Sequence, residues 1–239
     1  AAGQVLWKDM DRLPRKKANE VFVDECIEAS TSDNEDHTFA GIMFDVSVAN
    51  LPFEAVQITS IWIRGELGPI SVWSTPEGFG DKFDMEEEWE QHYSMEHGPS
   101  CRAFKEMKLA KPILLSAGET RGVYVHAACE GDEQIVYDDK RGKQTYSDFC
   151  LKIRPGLAHL SHVPFSSEHT NWGGWGSAWR KNRAFVGRLS YGIKWLRWNP
   201  EIHQQLPSFF QSIVWALLMS RHARASYSFL HALDSDNLF

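Results

Sequence analysis

Apolar and polar positions alternate with period two through most of the middle of the chain. In "FDVSV", Phe44, Val46 and Val48 alternate with Asp45 and Ser47. The runs "VQITSIWIRG" (56–65), "PISVWS" (69–74), "RGVYVHA" (121–127) and "FCLKIRPG" (149–156) read as further short strands bounded by Gly, Pro and Ser. The longest, "RAFVGRLSYGIKW" (183–195), sets Phe185, Leu189, Tyr191, Ile193 and Trp195 on one face. Val186, Arg188, Ser190 and Lys194 fall on the other, a pattern that helical spacing does not fit. Many short strands with turn signals between them predict a mainly β chain, an antiparallel β-sandwich of jelly-roll type.

Both ends carry a different period. Val5, Leu6, Met10 and Leu13, then Ala18, Val21, Phe22 and Cys26 after the interruption at Pro14, predict helix over 5–29. "STSDNEDH" (30–37) reads as a polar loop. Beyond "NP" at 199–200, Phe209, Phe210, Ile213, Val214, Leu217 and Leu218 form a wide apolar stripe, with Pro207 suited to a first helical turn. The expected organisation is a helical extension over 1–39, a sandwich over 40–200, and an amphipathic helix and tail over 201–239. One stretch breaks the strand pattern. Residues 76–98 hold eight acids and one lysine and read as a solvated acidic loop or short helix.

Composition narrows the class. The 239 residues, 43% hydrophobic, suffice for a real core. A net charge of -7 argues against bulk affinity for nucleic acid or anionic membrane. Cys26, Cys101, Cys129 and Cys150 lie far apart and form no metal-binding spacing. Such sparse thiols point to the cytoplasm or another reducing compartment; a secreted chain with two disulfides is the alternative. The opening residues carry no signal-peptide apolar core, and no run of 18 apolar residues exists, so no membrane span is expected.

The densest chemistry lies in "NWGGWGSAWR" (171–180). No acid occurs between His169 and Pro200, while Arg180, Lys181, Arg183, Arg188, Lys194 and Arg197 do. Interleaved cations and indoles suit an anionic ligand, a glycan or single-stranded nucleic acid. The same glycines and indoles equally suit a packed corner capping a sandwich, with Arg180 and Arg183 at its rim. Upstream, His159 and His162 stand three apart; metal binding there needs a third ligand, such as His126 or His169, and no motif supplies one. Trp172, Trp175, Trp179, Arg180, Arg183, His159 and His162 are therefore the candidate ligand- or partner-contacting residues. "GWGSAW" is not a nucleophile elbow, no phosphate-binding loop is present, and no catalytic residue, metal or cofactor is assigned. A hydrolase would need two of Glu86, Glu88, His159, His162 and Ser177 to converge.

The segments "RPGLAHLSHVPFSS", "NWGGWGSAWRKNR" and "FVGRLSYGIKWLRWNP" resemble a family of uncharacterised β-sandwich proteins of unicellular algae and oomycetes, over roughly residues 40–222. More distantly, Phe44-Asp45-Val46, the strand Ile58–Gly65 and the turn Pro112–Tyr124 are similar to the PHR jelly roll of large ubiquitin ligases and BTB adaptor proteins. The acidic stretch and the "WGSAWRKNR" corner depart from that domain. The tail "SFLHALDSDNLF" resembles the start of an F-box-like helix, which implies a fragment of a longer adaptor. The expectation is a non-enzymatic module binding a protein partner, an adaptor or a subunit of a larger assembly. A carbohydrate-binding module and a single-stranded nucleic-acid binder on the same basic aromatic stretch are the alternatives.

Overall fold

The computed structural model describes residues 21–139, 142–168, 177–196, 198–206 and 208–221. Fourteen strands are described: β1 (Val21–Ser30), β2 (His37–Phe39), β3 (Gly41–Val48), β4 (Phe53–Gly65), β5 (Gly68–Pro76), β6 (Glu90–His97), β7 (Ser100–Leu115), β8 (Thr120–Ala127), β9 (Ile135–Asp139), β10 (Tyr146–Ser147), β11 (Leu151–Ile153), β12 (Gly156–His159), β13 (Trp179–Phe185) and β14 (Arg188–Leu196). They form two antiparallel sheets, as the alternation predicts. One runs β1-β14-β4-β7. The other runs β2-β9-β13-β12-β3-β8-β5-β6, with the β10–β11 pair added alongside β3. Residues from Val23 to Lys194 make one compact unit that holds nearly all of both sheets.

The core lies between the sheets. Ile42, Phe44 and Val46 of β3, Val123 and Val125 of β8, Ile58, Ile61 and Ile63 of β4, and Leu189, Tyr191 and Ile193 of β14 are all buried. Phe44 stacks on Phe185 at 4.3 Å. At roughly 1.5–3 kcal/mol for each fully buried large apolar side chain, this alternating set supplies the main drive for folding.

Three expectations need correction. The run 183–195 is not one strand: it breaks after Phe185, leaving β13 in the larger sheet and β14 in the smaller. Gly187 is the crossing point, since a Cβ there would stand 2.1 Å from the Trp62 carbonyl oxygen and 2.5 Å from the Phe185 ring. Thr31 locks it. Its amide and hydroxyl both approach the Gly187 carbonyl at 3.0 Å, and its hydroxyl oxygen accepts the Gly187 N–H at 2.8 Å.

Residues 21–30 are strand, not the end of a helix. The β-branched Val21, Val23 and Ile27 resist helical packing, and with Ala29 they also keep a period of two. The helix expected further upstream, over Val5–Leu13, lies outside the described residues.

The acidic stretch is only partly a loop. After a 3-10 turn at Glu86–Glu88 it becomes β6, which pairs with β5 from Gly68↔His97 to Ser74↔Glu90.

Among the described residues beyond Lys194, the expected C-terminal helix is present as α1 (Ser208–Arg221). His203, nearly fully buried, accepts the Trp198 indole N–H at 3.1 Å and meets the Trp215 ring edge-on at 5.9 Å. No helix among the described residues is long and apolar enough to cross a membrane.

Gly187→Ala is expected to lower stability by about 3 kcal/mol, because backbone rather than a flexible side chain meets the new methyl. Gly80→Ala, where nothing lies within 4 Å of the added Cβ, is the matched control. Urea midpoints of the two variants check this.

Candidate functional site

The larger sheet has a second apolar face, turned away from the sandwich core. Register puts Met43 beside Tyr124 and Leu157, Tyr124 beside Trp73, and His159 beside Gly41 and Trp179. Tyr124, His126 and His159 are fully buried there. An aromatic sheet face of this kind needs a cover, since leaving it in water forfeits the hydrophobic gain.

Two excursions supply the cover. The first follows β5. Its loop lies directly on Gly122, whose added Cβ would stand 2.8 Å from the Phe79 nitrogen, and Asp45 accepts the Phe79 N–H at 3.0 Å. Phe79, Phe83 and Trp89 then pack over Tyr124 and Trp179; Phe83 meets Trp179 edge-on at 5.4 Å. The second joins β12 to β13. It lays Phe165 edge-on to Trp73 and Tyr124, at 5.2 and 5.0 Å. Ser167 ties the two together, accepting the Trp179 indole N–H and donating to Asp84, both at 3.3 Å. The acidic stretch thus folds back on Trp179 through aromatic contacts.

The histidines are neutral parts of this cluster. His159 lies flat on Trp179, centroids 3.8 Å apart. Its Nε2–H donates to the Ser166 carbonyl at 2.8 Å, so Nδ1 is the acceptor for the Tyr124 hydroxyl at 2.6 Å. Burial pushes the Tyr124 phenol well above its ordinary range, which keeps that proton in place. His126 donates Nε2–H to the Ser161 carbonyl at 2.9 Å, and its ring centroid is 5.5 Å from that of His159. Burial, more than any neighbouring charge, holds His126 at about 4 and His159 at about 3.

The expected site residues separate accordingly. Trp179 and His159 are core. His162 is exposed and does not join His159, both of whose ring nitrogens are already bonded. Trp172 and Trp175 lie outside the described residues. A hydrolytic base at His159 has no free nitrogen, and Ser177 spends its oxygen on the Trp179 amide at 3.2 Å. Arg180 and Arg183 are half-buried at the rim, where β13 carries a bulge: Asn182, at φ +60°, is the extra residue between the Leu157↔Lys181 and Gly156↔Arg183 pairs. The bulge leaves Lys181 and Asn182 both exposed. Arg183 reaches Asp139 at 3.2 Å and lies over the Tyr137 ring at 6.0 Å. Tyr124, Trp89 and Phe165 complete the cluster without having been singled out in the sequence, and His126, weighed there only as a third metal ligand, joins them. Tyr124 and His126 carry one weak signal, an aromatic and an imidazole on the outward phase of the otherwise apolar β8; Trp89 and Phe165 lie outside strands and carry none.

No protein-family model matches the chain, and no curated protein matches it. Among solved structures, a chain in the structure of infectious bursal disease virus Gx strain aligns at 8% identity and TM-score 0.26, over 85% of this chain and 50% of that one. A chain in the Gt strain structure aligns at 8% identity and TM-score 0.26, over 89% of this chain and 53% of that one. The chain spans about half the length of those it aligns with. A likeness at that level carries no argument about function.

Two outcomes follow from the packing. Trp179→Ala is expected to cost about 3–5 kcal/mol in a urea titration, as core truncations of large aromatics do. Acid is expected to weaken the fold before carboxylates matter. Both histidines titrate far below their unfolded value of 6.5, so the unfolded chain binds protons that the folded chain refuses. Stability is complete above about pH 6.5 and falls as pH drops toward 4; between pH 7.5 and 5 the loss is on the order of 3 kcal/mol. Urea midpoints at the two pH values measure it.

Proposed function

We propose that the chain is a non-enzymatic protein-interaction module. Its contact surface is the crown of the two excursions together with the adjoining cationic rim of β13. One observation carries this reading: Trp179 and His159, two of the residues that would have built a reactive or stacking site, are spent in the buried layer under the cover. What the cover turns outward instead is Met85 at 44% exposure and Val163 at 51%, next in sequence to the exposed His162, while β13 exposes Lys181. Apolar anchors with a polar, charged rim are what a protein contact uses.

The reading is in keeping with the adaptor role that resemblance to the PHR jelly roll implies. We assign the protein to a reducing compartment such as the cytoplasm, a reading supported by free thiols at Cys101, Cys129 and Cys150. The carbohydrate alternative loses Trp179 as a stacking face.

The test is site-specific photo-crosslinking in cells expressing the chain, with the probe at Val163 or Lys181 and a control probe at the exposed Glu54. A discrete protein adduct from the first two positions and none from the third is expected. The adduct should vanish in a Val163→Asp/Lys181→Glu variant whose thermal midpoint stays within about 2 °C of the parent, as exposed substitutions usually allow. Equal labelling from Glu54, or retention on glycan or oligonucleotide columns with no adduct, overturns the proposal.

A further inference from the structure

The edge of the larger sheet brings the near neighbours Glu35 and His37 together with the sequence-distant Asp139, three metal-ligating side chains in all. Strand β2 pairs with β9, setting His37 opposite Tyr137, and the imidazole stacks on that phenol at 5.9 Å. Two residues further out on each strand come Glu35 and Asp139. Backbone pairing there is replaced by a side-chain contact, with Glu35 Oε2 accepting the Asp139 N–H at 2.9 Å. The neighbouring Asp138, almost fully buried, fixes the approach. Its carboxylate accepts the Asn34 amide and side-chain N–H at 3.0 Å each, and the Glu35 N–H at 2.8 Å.

His37 Nε2 thereby stands 3.4 Å from Glu35 Oε2 and 3.7 Å from Asp139 Oδ2, and all three donor atoms lie within 4.8 Å of one another. Ligands bonded to one zinc-like ion at about 2.0–2.2 Å are themselves roughly 3.0–3.6 Å apart. The spacing needs only a small rotation of one carboxylate to match. An outer partner is also in place. Arg183 holds the other oxygen of Asp139 at 3.2 Å and lies over the same Tyr137 ring that supports His37. Such contacts orient a ligating carboxylate and aim its remaining oxygen.

The geometry points to a divalent metal site formed by Glu35, His37 and Asp139. The donor set selects the ion class. One imidazole and two carboxylates suit Zn²⁺ or Co²⁺; the absence of thiolate from the set disfavours Cu⁺, and a nitrogen among three ligands disfavours Ca²⁺. Three protein ligands at a half-exposed edge leave the remaining positions to water. The site would staple the short β2 and its preceding loop to β9, and Arg183 connects it to the rim of β13.

Zn²⁺ titration of the full chain by calorimetry, with the visible absorption of Co²⁺ as a second readout, tests this. One equivalent is expected to bind, with the thermal midpoint rising on addition. His37→Ala and Asp139→Asn should each weaken binding at least tenfold and abolish the rise. His162→Ala, another exposed histidine, should leave both unchanged. Because the His37 side chain is 51% exposed, its removal leaves the fold intact, which circular dichroism checks. Absence of one-to-one binding, binding within twofold of the parent in His37→Ala, or equal loss in His162→Ala overturns the inference. In the first two cases His37 serves only as an ion-pair partner of the two carboxylates.

Discussion

Everything on the outward side of the larger sheet depends on one requirement: Tyr124 has no access to water. Its ring sits at the centre of a β-strand face also built from Met43, Trp73 and Leu157, and its hydroxyl donates to His159. A buried phenol without that acceptor would carry an unsatisfied donor, a cost of roughly 1–3 kcal/mol. The Ser166 carbonyl fixes the imidazole tautomer that can accept this bond, and the imidazole seats Trp179. From Trp179 the contacts spread to Phe83 and Ser167, and so to both excursions. The cover is therefore a polar-pinned aromatic layer, and its charged residues are what remains outside once the rings are placed.

The far edge of the same sheet is closed by different means. Between the pairs Ile58↔Ile113 and Ser60↔Lys108, strand β7 departs from β4. There the Lys111 carbonyl accepts Nδ1–H of His92 from β6 at 2.9 Å, and the Lys111 ammonium pairs with Glu90. His92 Nε2 accepts the Ser74 hydroxyl at 2.8 Å, so the buried ring bridges β5, β6 and β7. Pro112 sits in the departing segment, where no ladder N–H is needed. The His92 imidazole and the Lys111–Glu90 pair thus tie the β6 end of one sheet to the β7 end of the other.

How far the sequence reveals this differs by level. The alternation of Leu189, Tyr191 and Ile193 is plain because a single buried face sets its period; the helix at 208–221 is legible from its apolar run, although Phe210, Ile213 and Met219 are exposed and Val214 alone is buried among its described residues. The break at Gly187 is hidden, since Phe185 and Leu189 stay in phase across it while belonging to different sheets. Strand β7 is hidden for the opposite reason: most of its side chains are exposed, so charge masks the pattern. Strand β1 satisfies both a helical and a strand period, and only pairing decides between them. Of the tryptophan corner, the packed reading holds for Trp179. The partners that make it so come from residues 79–89, which local spacing cannot associate with it. The convergence of Glu35 and His37 with Asp139 has no motif at all; strand register alone creates it.

Strands β1 and β14 are neighbours in the smaller sheet, and the end of one is bonded to the start of the other through Thr31 and Gly187. The polypeptide thus enters the sandwich along β1 and leaves along β14, with Arg188 near Glu28 at 3.8 Å marking their antiparallel run. A domain whose two ends emerge side by side can be spliced into a host chain without prising the host apart. Residues 23–194 have the anatomy of a cassette, one that other polypeptides could carry as an insertion as readily as in tandem.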